Sequence, residues 1–287
     1  MSHLRHLVAK AQQRLADAGV PSPEHDAREL AAFALGVDRF PVGDVEIDAD
    51  QERRFQALVA RREVREPLQH IVGSTVFRYL TLRVRAGVFV PRPETEVVAQ
   101  VAIDEAVTLA SAGRRPVVVD LCCGTGAIAL SVATEAPGSV VHAIDFSIEA
   151  VRLAQVNADV ARVDNVVISQ GDAADGGLLV ELAGSVDVLI SNPPYIPSGA
   201  IPIDPEVRDF DPPLALFGGG DDGLDIPRAV IAAAVRLVRP GGLFVMEHAD
   251  VQGAQTREIA DRTGAFESIE TRQDLTGRDR MLVARRA

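Results

Sequence analysis

The amino-acid sequence predicts an α/β protein whose larger part is a doubly wound, mostly parallel sheet, preceded by a small helical domain with a β-hairpin linker. After residue 93, short apolar runs alternate with helical stretches, which is typical of a parallel sheet covered by helices on both faces. Earlier in the chain, apolar residues recur mainly at helical spacing. Because 287 residues suffice for a core of about 200 residues and a smaller companion, we expect two domains, residues 1–85 and 86–287.

The first domain is predicted to contain three helices and a hairpin. Apolar residues at helical spacing, each series followed by Gly or Pro, predict helices over residues 3–18, 23–35 and 51–64. Residues 70–84 contain short β-rich runs that predict the hairpin. Arg61, Arg62 and Arg65 fall in or next to the third helix, and we interpret them as a solvated helix face rather than a nucleic-acid-binding patch.

The second domain is predicted to alternate strands and helices. Short apolar runs predict strands over residues 117–121, 139–144, 166–169, 185–191 and 242–248. Helical periodicity predicts helices over residues 125–135, 147–160 and 225–238. Residues 266–285 are expected to add two further strands to the sheet.

Composition and charge narrow the possible partners. The formal net charge of −12 repels a phosphate backbone, so we expect no direct nucleic-acid binding.

The N-terminal segment lacks the features of a signal peptide, and no apolar run approaches the ~20 residues that span a bilayer. The adjacent Cys122 and Cys123 disfavour a structural disulfide, and the histidines show no metal-binding spacing. We expect a cytoplasmic monomer that binds neither metal nor membrane.

A glycine loop follows the first strand of the second domain, in the segment VVVDLCCGTGAIAL. Gly124 and Gly126 allow the backbone to pass close to a ligand where a Cβ would clash. The amides at the start of the next helix point the positive end of its dipole toward such a ligand. The sequence therefore predicts a cofactor site at this turn.

Two cofactors are compatible with this loop. Gly124, Gly126 and Ala129 satisfy the G-x-G-x-x-A pattern of dinucleotide-binding proteins. A carboxylate at Asp120 would repel the two negative charges of a pyrophosphate and attract the ammonium and sulfonium groups of S-adenosylmethionine. Asp120 therefore favours the methyl donor, and a dinucleotide-binding protein without methyl transfer is the alternative.

Acidic residues also end the next two strands. Asp145 ends VVHAID and is predicted to accept hydrogen bonds from both ribose hydroxyls. Asp172 ends VVISQGD, where its carboxylate and the backbone amide of Ala173 are predicted to meet an adenine edge. Each acid alone is commonly a helix cap or a solvated loop residue, but three acids at successive strand ends predict one ligand crevice.

Asn192, Pro193, Pro194 and Tyr195 follow the fourth strand of this domain. Two consecutive prolines stiffen the backbone and remove two amide donors, which leaves the Asn192 side-chain oxygen and the Pro193 carbonyl as acceptors. This pair of acceptors suits an NH₂ group, which donates two hydrogen bonds. The planar nitrogen of such a group is a poor nucleophile. Acceptors that hold its two hydrogens can direct its lone pair toward the methyl group. The Tyr195 ring is predicted to cover the site or to stack on a planar substrate group.

Asp-x-x-x-Gly-x-Gly followed by Asn-Pro-Pro-Tyr resembles the amino-methyltransferases, which act on adenine N6 in DNA, guanine N2 in ribosomal RNA or glutamine N5 in proteins. FVPRPETE (residues 89–96), PPLALFGGGDDGLDIPR, FVMEHADVQG and DLTGRDR resemble the release-factor glutamine methyltransferases, the PrmC/HemK family. The resemblance extends from about residue 4 to residue 285. It implies a class I S-adenosylmethionine methyltransferase fold, to which a terminal strand pair is well suited.

The resemblance implies methylation of the side-chain N5 of the glutamine in the Gly-Gly-Gln loop of class I peptide-release factors, with the N-terminal domain helping to bind the factor. Asn192, Pro193 and Tyr195 would be catalytic. The cofactor-binding residues implied by the motifs are Asp120, Cys122, Cys123, Gly124, Thr125, Gly126, Asp145, Asp172, Ala173 and Asn192. Those implied for the substrate are Asn192 through Tyr195, including Pro194, and a lip containing Phe89, Arg92, Glu94 and Thr95.

Two residues depart from the family pattern, and one alternative stays open. Many members carry glycine where this chain has Cys122, and often an aromatic or bulky residue where it has Ala173.

A nucleic-acid amino-methyltransferase would use the same Asn-Pro-Pro-Tyr loop. The acidic charge and a front section of only about 85 residues argue against it, because such enzymes need a basic groove and, for DNA, a sizeable recognition domain.

Overall fold

A computed structural model describes residues 2–43 and 45–287 of the chain. The helices are α1 (Leu4–Asp17), α2 (Pro23–Leu35), α3 (Ala49–Glu63), α4 (Leu68–Val72), α5 (Thr95–Ser111), α6 (Ala127–Glu135), α7 (Ile148–Ala161), α8 (Pro205–Phe210), α9 (Pro213–Leu216), α10 (Asp225–Leu237) and α11 (Gly253–Arg262). The strands are β1 (Ser2–His3), β2 (Glu46–Ile47), β3 (Ser74–Phe77), β4 (Leu80–Arg83), β5 (Val117–Leu121), β6 (Val140–Asp145), β7 (Val166–Gln170), β8 (Val186–Ser191), β9 (Val238–Glu247), β10 (Phe266–Gln273) and β11 (Asp279–Arg286).

The chain divides into two compact units. The helical unit contains the described residues up to Ser74 together with Pro202–Phe210, and the sheet unit contains Thr75–Ile201 and Asp211–Ala287. The β3–β4 hairpin, apart from Ser74, therefore belongs to the sheet unit, whereas the sequence analysis grouped it with the helices. The helical unit also includes α8, which is distant in sequence from its other helices.

The helical unit has its own apolar core. Buried side chains of α1, α2 and α3 pack together with Ile71 of α4, and Leu15, Leu30 and Val59 are fully buried. Helix α3 begins two residues earlier than predicted because Asp48 caps it: its Oδ1 accepts from the Asp50 and Gln51 amides, and the Gln51 side chain accepts from the Asp48 amide. The predicted hairpin over residues 70–84 is confirmed for β3 and β4, but residues 70–72 end α4 instead.

The arginine cluster at the end of α3 is not uniformly solvated, so the interpretation as a solvated helix face is wrong for Arg62. Its guanidinium is buried and donates to Asp26 Oδ2 at 2.7 Å and to Glu206 Oε1 at 2.7 Å. Arg65 donates to both oxygens of Glu206, at 2.7 and 2.5 Å. A buried guanidinium requires charged partners of this kind, and Glu206 thereby anchors α8 within the helical unit.

The sheet unit is built on seven strands in the order β10-β11-β9-β8-β5-β6-β7. Strands β5 to β9 run parallel, and β11 pairs antiparallel with β9 and β10. This confirms the predicted doubly wound sheet and its two added strands. All six residues of β8 are buried, as expected for a central parallel strand covered on both faces.

Helices cover both faces of this sheet. On one face, α5, α6 and α7 pack against alternate strand residues that include Val118, Val141 and Val188. On the other, α10 and α11 pack against the intervening residues, including Val119 and Leu189. Strand β9 begins four residues earlier than predicted, at Val238, so α10 ends at Leu237. The observed bounds of the other predicted core elements agree with the sequence analysis to within two residues.

The buried ion pair in the helical unit should contribute strongly to stability. We expect Asp26→Ala to lower the free energy of unfolding by about 2–3 kcal/mol, because it removes a charged partner from a buried guanidinium. Glu24→Ala is the matched control on the same helix, since Glu24 pairs with Arg28 at the surface and such pairs contribute about 0–1 kcal/mol. Urea unfolding followed by circular dichroism measures both. Equal losses in the two variants would contradict the assignment.

Candidate active site

The strand order places the candidate site at one edge of the sheet. β5 lies between β6 and β8, so the winding direction reverses there, and parallel sheets open a ligand crevice at the carboxyl ends of the strands at such a point. Leu121 of β5 pairs with Ile144 and with Ser191, and Ser191 pairs with Met246. The residues that directly follow these four paired positions are Cys122, Asp145, Asn192 and Glu247. Strand register therefore aligns them along one edge.

The glycine loop after β5 has the geometry that the sequence predicts. Gly124 and Gly126 have φ angles of 56° and 82°, in the left-handed region that favours glycine. No atom lies within 4 Å of the position where a Cβ on Gly124 would stand, so this side of the loop is open to a ligand. A Cβ on Gly126 would stand 3.2 Å from the Ala154 Cβ and from Leu130 Cδ1, so a side chain there would crowd α7 and α6 as well as strain the backbone.

Cys122 adopts the same left-handed backbone with φ 63°, although it carries a side chain. This conformation costs a non-glycine residue about 1–2 kcal/mol. Burial raises the pKa of the Cys122 thiol, and the nearby Asp145 charge raises it further. Burial also raises the pKa of the Cys123 thiol, so both cysteines are neutral near pH 7 and neither forms a disulfide.

Asp145 connects the loop to the end of β6. Its Oδ2 accepts from the Gly124 amide at 2.8 Å, and its Oδ1 accepts from the Ser147 amide at 2.8 Å. Burial raises the pKa of the Asp145 carboxyl, and these two hydrogen bonds oppose that shift. Each carboxylate oxygen has a further lone pair, so the carboxylate can also accept from ligand hydroxyls.

Asp120 lies deeper than the sequence analysis implied. Its side chain is fully buried, and Oδ2 accepts from the Ala129 amide at 3.0 Å, while Oδ1 has no hydrogen-bond partner among the described residues. Burial raises the pKa of Asp120 well above its usual value, and the charge of Asp145 raises it further. A cationic ligand at the loop would oppose this shift.

Asn157 holds the glycine loop from α7, and sequence reasoning missed it. Its Nδ2 donates to the Thr125 carbonyl at 2.9 Å and to the Arg83 carbonyl at 3.1 Å, while its Oδ1 accepts from the Arg83 amide at 2.7 Å. Asn157 is nearly fully buried, as is Thr125. A polar residue facing the core side of an amphipathic helix is the signal that could have found it.

The third acid is more exposed than the other two. Asp172 is exposed, and its Oδ1 accepts from the Ala174 amide at 2.8 Å. Its charge contributes to the raised pKa of the Cys122 thiol, after burial and the charge of Asp145. Ala173 is half-buried and packs against the core face that α10 covers.

The Asn-Pro-Pro-Tyr loop leaves β8 beside the glycine loop. Asn192 Nδ2 donates to the Thr95 hydroxyl oxygen at 3.3 Å, which is its one side-chain hydrogen bond among the described residues. The Asn192 side-chain oxygen is therefore left to accept from a ligand. The sequence predicts Thr95 as part of a substrate lip. In the structure it is nearly fully buried as the first residue of α5, and its hydroxyl contacts the Asn192 side chain.

Glu247 supports this loop from the end of β9 and was missed as an individual residue. Its Oε1 accepts from the Tyr195 hydroxyl at 3.3 Å. Burial raises the pKa of Glu247 to about 7, against the opposing effects of the nearby Thr95 hydroxyl, the positive charge of Arg280 and the Tyr195 hydrogen bond. A single acid ending an otherwise apolar strand, LFVME, is the signal in the sequence.

The backbone of the Asn-Pro-Pro-Tyr loop is fixed by Gln252 and two glycines. Gln252 Nε2 donates to the Tyr195 carbonyl at 2.8 Å and to the Asp222 carbonyl at 3.0 Å. A Cβ on Gly218 would stand 2.5 Å from the Pro194 carbonyl oxygen, and one on Gly223 would stand 2.3 Å from the Tyr195 carbonyl oxygen. The segment GGGDDG therefore contacts the loop so closely that these positions exclude side chains.

Two of the remaining lip residues, Arg92 and Phe89, contact each other. The Arg92 guanidinium forms an ion pair with the buried Asp211 and lies 4.9 Å from the centre of the Phe89 ring. Burial raises the pKa of Asp211 to about 6, and Arg92 opposes that shift. Glu94 is exposed, immediately before α5. Arg92 and Phe89 therefore stiffen the lip, and Glu94 is open to a partner.

The described residues contain neither a metal-binding cluster nor a membrane-spanning helix. No group of three or more His, Cys, Asp or Glu side chains is arranged to hold a metal ion among residues 2–43 and 45–287. None of the helices in this part of the chain has both the length and the apolar character needed to cross a bilayer.

Comparison with known proteins identifies the family. The chain is 50% identical over 281 residues to the release factor glutamine methyltransferase of Streptomyces coelicolor, covering 98% of this chain and 97% of that protein. The chain belongs to the release factor glutamine methyltransferase family. Relatives of the same name in Mycolicibacterium smegmatis and Deinococcus radiodurans are 44% and 40% identical, each covering at least 99% of both chains.

Family models agree with this membership, and a solved structure shares the fold. Residues 6–73 match the model described as the PrmC N-terminal domain, and residues 114–278 match the model described as a methyltransferase domain. A solved structure of the T. thermophilus 16S rRNA N2 G1207 methyltransferase RsmC, in complex with AdoMet and guanosine, aligns with a TM-score of 0.54 at 20% identity. It covers 75% of this chain and 50% of that one, which shows the shared fold alone. The resemblance and fold class inferred from the motifs are confirmed.

Glu247 should make the stability of this methyltransferase depend on pH. Its pKa is about 7 in the folded protein, whereas the ordinary value is 4.5. The protonated carboxyl therefore contributes its full share to the free energy of unfolding below about pH 4.5, and this share is lost as the pH rises through about 7. We expect the free energy of unfolding of Glu247→Gln, minus that of the wild type, to become more positive from about pH 5 to about pH 8.

Urea unfolding at a series of pH values measures this difference. Cys123→Ala is the control, because its buried thiol is neutral throughout that range and its difference from the wild type should not change with pH. A pH-independent difference for Glu247→Gln would contradict the assignment.

Proposed function

We propose that this chain transfers a methyl group from S-adenosylmethionine to the side-chain N5 of the glutamine in the Gly-Gly-Gln loop of class I peptide-release factors. The observation that carries the proposal is the placement of Asn192: its amide nitrogen is engaged by Thr95, and it stands beside an open glycine loop at the same sheet edge. The names of relatives that match the chain along its whole length support this substrate.

The residues of the glycine loop fit S-adenosylmethionine. The open side of Gly124 provides room for a ligand against the backbone, and Asp145 can accept from ribose hydroxyls while it holds the Gly124 amide. Burial raises the pKa of Asp120 and Asp145 although each accepts backbone hydrogen bonds, and Asp120 Oδ1 has no partner among the described residues, so a cationic ligand is favoured over a pyrophosphate. We assign cofactor binding to Asp120, Cys122, Cys123, Gly124, Thr125, Gly126, Asp145, Asp172, Ala173 and Asn192.

S-adenosylmethionine supplies an electrophilic methyl group when bound. The task of the protein is then to make a planar amide nitrogen nucleophilic. The Asn192 side-chain oxygen and the Pro193 carbonyl would accept the two N–H hydrogens of the glutamine amide, which turns the nitrogen toward tetrahedral geometry and aims its lone pair. Tyr195 would shield this position, and its hydroxyl is held by Glu247. Positioning of this kind requires no general base.

The rest of the chain would bind the protein substrate. We assign this role to residues 1–85 and to the lip formed by Phe89, Arg92, Glu94 and Thr95, with Pro194 completing the rim around the glutamine. The separate apolar core of the helical unit supports a folded binding module. A monomer acting in the cytoplasm, with neither a metal nor direct nucleic-acid contact, completes the proposal.

Mass spectrometry of a class I release factor tests the function. After incubation with the enzyme and isotopically labelled S-adenosylmethionine, we expect one labelled methyl group on the glutamine of the Gly-Gly-Gln loop. A factor whose loop glutamine is replaced by alanine is the control and should remain unlabelled. Total RNA in a parallel reaction covers the alternative acceptor. Label in the RNA with none in the factor would overturn the proposal.

Asn192 provides the sharpest test of the mechanism. We expect Asn192→Ala to leave donor binding nearly unchanged and to lower kcat by about 10²-fold or more, because the lost acceptor acts mainly in the transition state. Asn192→Asp adds a negative charge near the sulfonium, so donor binding should hold or tighten while kcat still falls. Calorimetry with S-adenosylhomocysteine or the donor and initial-rate assays measure the two effects. A folded Asn192→Ala protein with near wild-type kcat would refute this mechanism.

A further inference from the structure

We propose that Asp211 is a positioning residue for methyl transfer: its ion pair with Arg92 closes a ring of contacts that contains the Asn-Pro-Pro-Tyr loop and fixes the lip around Phe89. The inference rests on the proposed function, since it concerns where the release-factor glutamine is held. It gives a role to a residue outside the predicted site, and it makes Arg92 a support of the lip rather than a residue that touches substrate.

Asp211 depends on Arg92 because its carboxylate is buried. Its side chain is fully shielded from solvent, Arg92 donates to Oδ2, and Oδ1 has no hydrogen-bond partner among the described residues. A buried carboxylate without a positive partner is costly, so the ion pair holds the guanidinium in one place. Pro91 and Pro93 flank Arg92 and stiffen the backbone from which its side chain extends.

One half of the ring connects Arg92 to Asn192. The Thr95 amide donates to the Arg92 carbonyl at 3.1 Å, and the Thr95 hydroxyl oxygen accepts from Asn192 Nδ2 at 3.3 Å. Thr95 is buried, so water has little access with which to replace these contacts. A displacement of Arg92 would therefore shift the side chain that is proposed to accept the glutamine amide.

The other half of the ring connects Asp211 to Tyr195. After Asp211 the chain passes through α9, and the Leu216 carbonyl accepts from the Ile196 amide at 2.8 Å. Ile196 directly follows Tyr195, so the ring returns to the far end of the Asn-Pro-Pro-Tyr loop. The ion pair between Asp211 and Arg92 joins the two halves. Both acceptors proposed for the glutamine amide are thus part of one closed ring.

The same ion pair fixes the Phe89 ring. The Arg92 guanidinium lies 4.9 Å from the centre of this ring, which is within the range of a cation–π interaction. Val88 and Val90 are buried on either side of Phe89 and anchor its backbone. Because Asp211 holds the guanidinium, the Phe89 ring would give the glutamine side chain an apolar wall in a fixed place.

The charge of Asp211 makes this arrangement depend on pH. Burial raises the pKa of Asp211 to about 6, and Arg92, the charged group that acts on it, opposes that shift. At pH 8 the carboxylate is therefore ionised and paired with Arg92. At pH 5 it is mostly protonated, and the ion pair is lost. A residue that contributes only packing would show no such change.

Asp211→Asn tests the proposal, because it keeps the shape of the side chain and removes its charge. At pH 8 we expect kcat/KM for methylation of the release factor to fall about tenfold, the effect of a lost charged hydrogen bond. The Kd for S-adenosylhomocysteine should stay within about twofold, because the ring includes neither the glycine loop nor Asp145. At pH 5 the wild type should exceed the variant in kcat/KM by less than about threefold. A ratio that stays constant between pH 5 and pH 8 would overturn the proposal.

Asp187→Asn is the matched control in the sheet unit. Asp187 is also a buried carboxylate, paired with Arg239 at 2.6 Å, but it lies at the amino end of β8, whereas Asn192 follows the carboxyl end. We expect this variant to be less stable, with kcat/KM within about twofold of the wild type at both pH values. A loss of kcat/KM equal to that of Asp211→Asn would mean that any broken buried ion pair slows the enzyme, which contradicts a positioning role.

Arg92→Met removes the other partner and serves if Asp211→Asn fails to fold. It should lower kcat/KM by about tenfold at pH 8, with the same smaller ratio at pH 5. In a double-mutant cycle, Asp211→Asn should cost less than about twofold once Arg92 is already methionine, and additive losses would refute the ring. The proposed function fails separately, if the wild-type enzyme leaves the release-factor glutamine unmethylated. Methylation by the wild type together with an unaltered kcat/KM in Asp211→Asn refutes only the role of Asp211.

Discussion

The pairing of β5 with both β6 and β8 is the constraint on which the rest of the site depends. Parallel register places the ends of these strands in one row, so that the glycine loop, Asp145 and Asn192 begin at neighbouring positions. β9 extends the row to Glu247 through its pairing with β8. Residues separated by more than 120 positions in the chain therefore lie along one sheet edge without any direct interaction having to bring them together. The chemistry is assigned to loops, but the sheet decides where those loops start.

Buried polar side chains convert this placement into fixed geometry. Asn157 holds the glycine loop, Gln252 holds the Tyr195 backbone, and Glu247 holds the Tyr195 hydroxyl. Each contacts one of the two candidate-site loops, and each is almost entirely buried. A buried polar group without partners would destabilise the fold, so each must keep its hydrogen bonds, and the loop it holds is restrained accordingly.

The sequence could predict the elements and the positions of the two loops because both leave local patterns. Alternating apolar runs located the parallel strands, and the Gly-x-Gly and Asn-Pro-Pro-Tyr motifs located the two loops. Supporting residues such as Asn157 and Gln252 leave no comparable pattern, since their roles depend on carbonyls that are distant in the chain. Arg62 shows the same limit: its charge suggested a solvated surface, and only the tertiary fold brings Asp26 and Glu206 to it.

Cys122 and Gly124 show that two neighbouring left-handed residues can have different requirements. At Gly124 the position of a Cβ is open space on the side where a ligand would bind, so a side chain there would occupy ligand volume. At Cys122 the cost is conformational, about 1–2 kcal/mol for a non-glycine residue. The loop tolerates this conformational cost because backbone hydrogen bonds hold it. The Cys123 amide donates to the Ile144 carbonyl, and the Gly126 amide donates to the Cys123 carbonyl. Gly124 adopts the same left-handed backbone without that cost, whereas Cys122 is tolerated because its neighbours fix the turn.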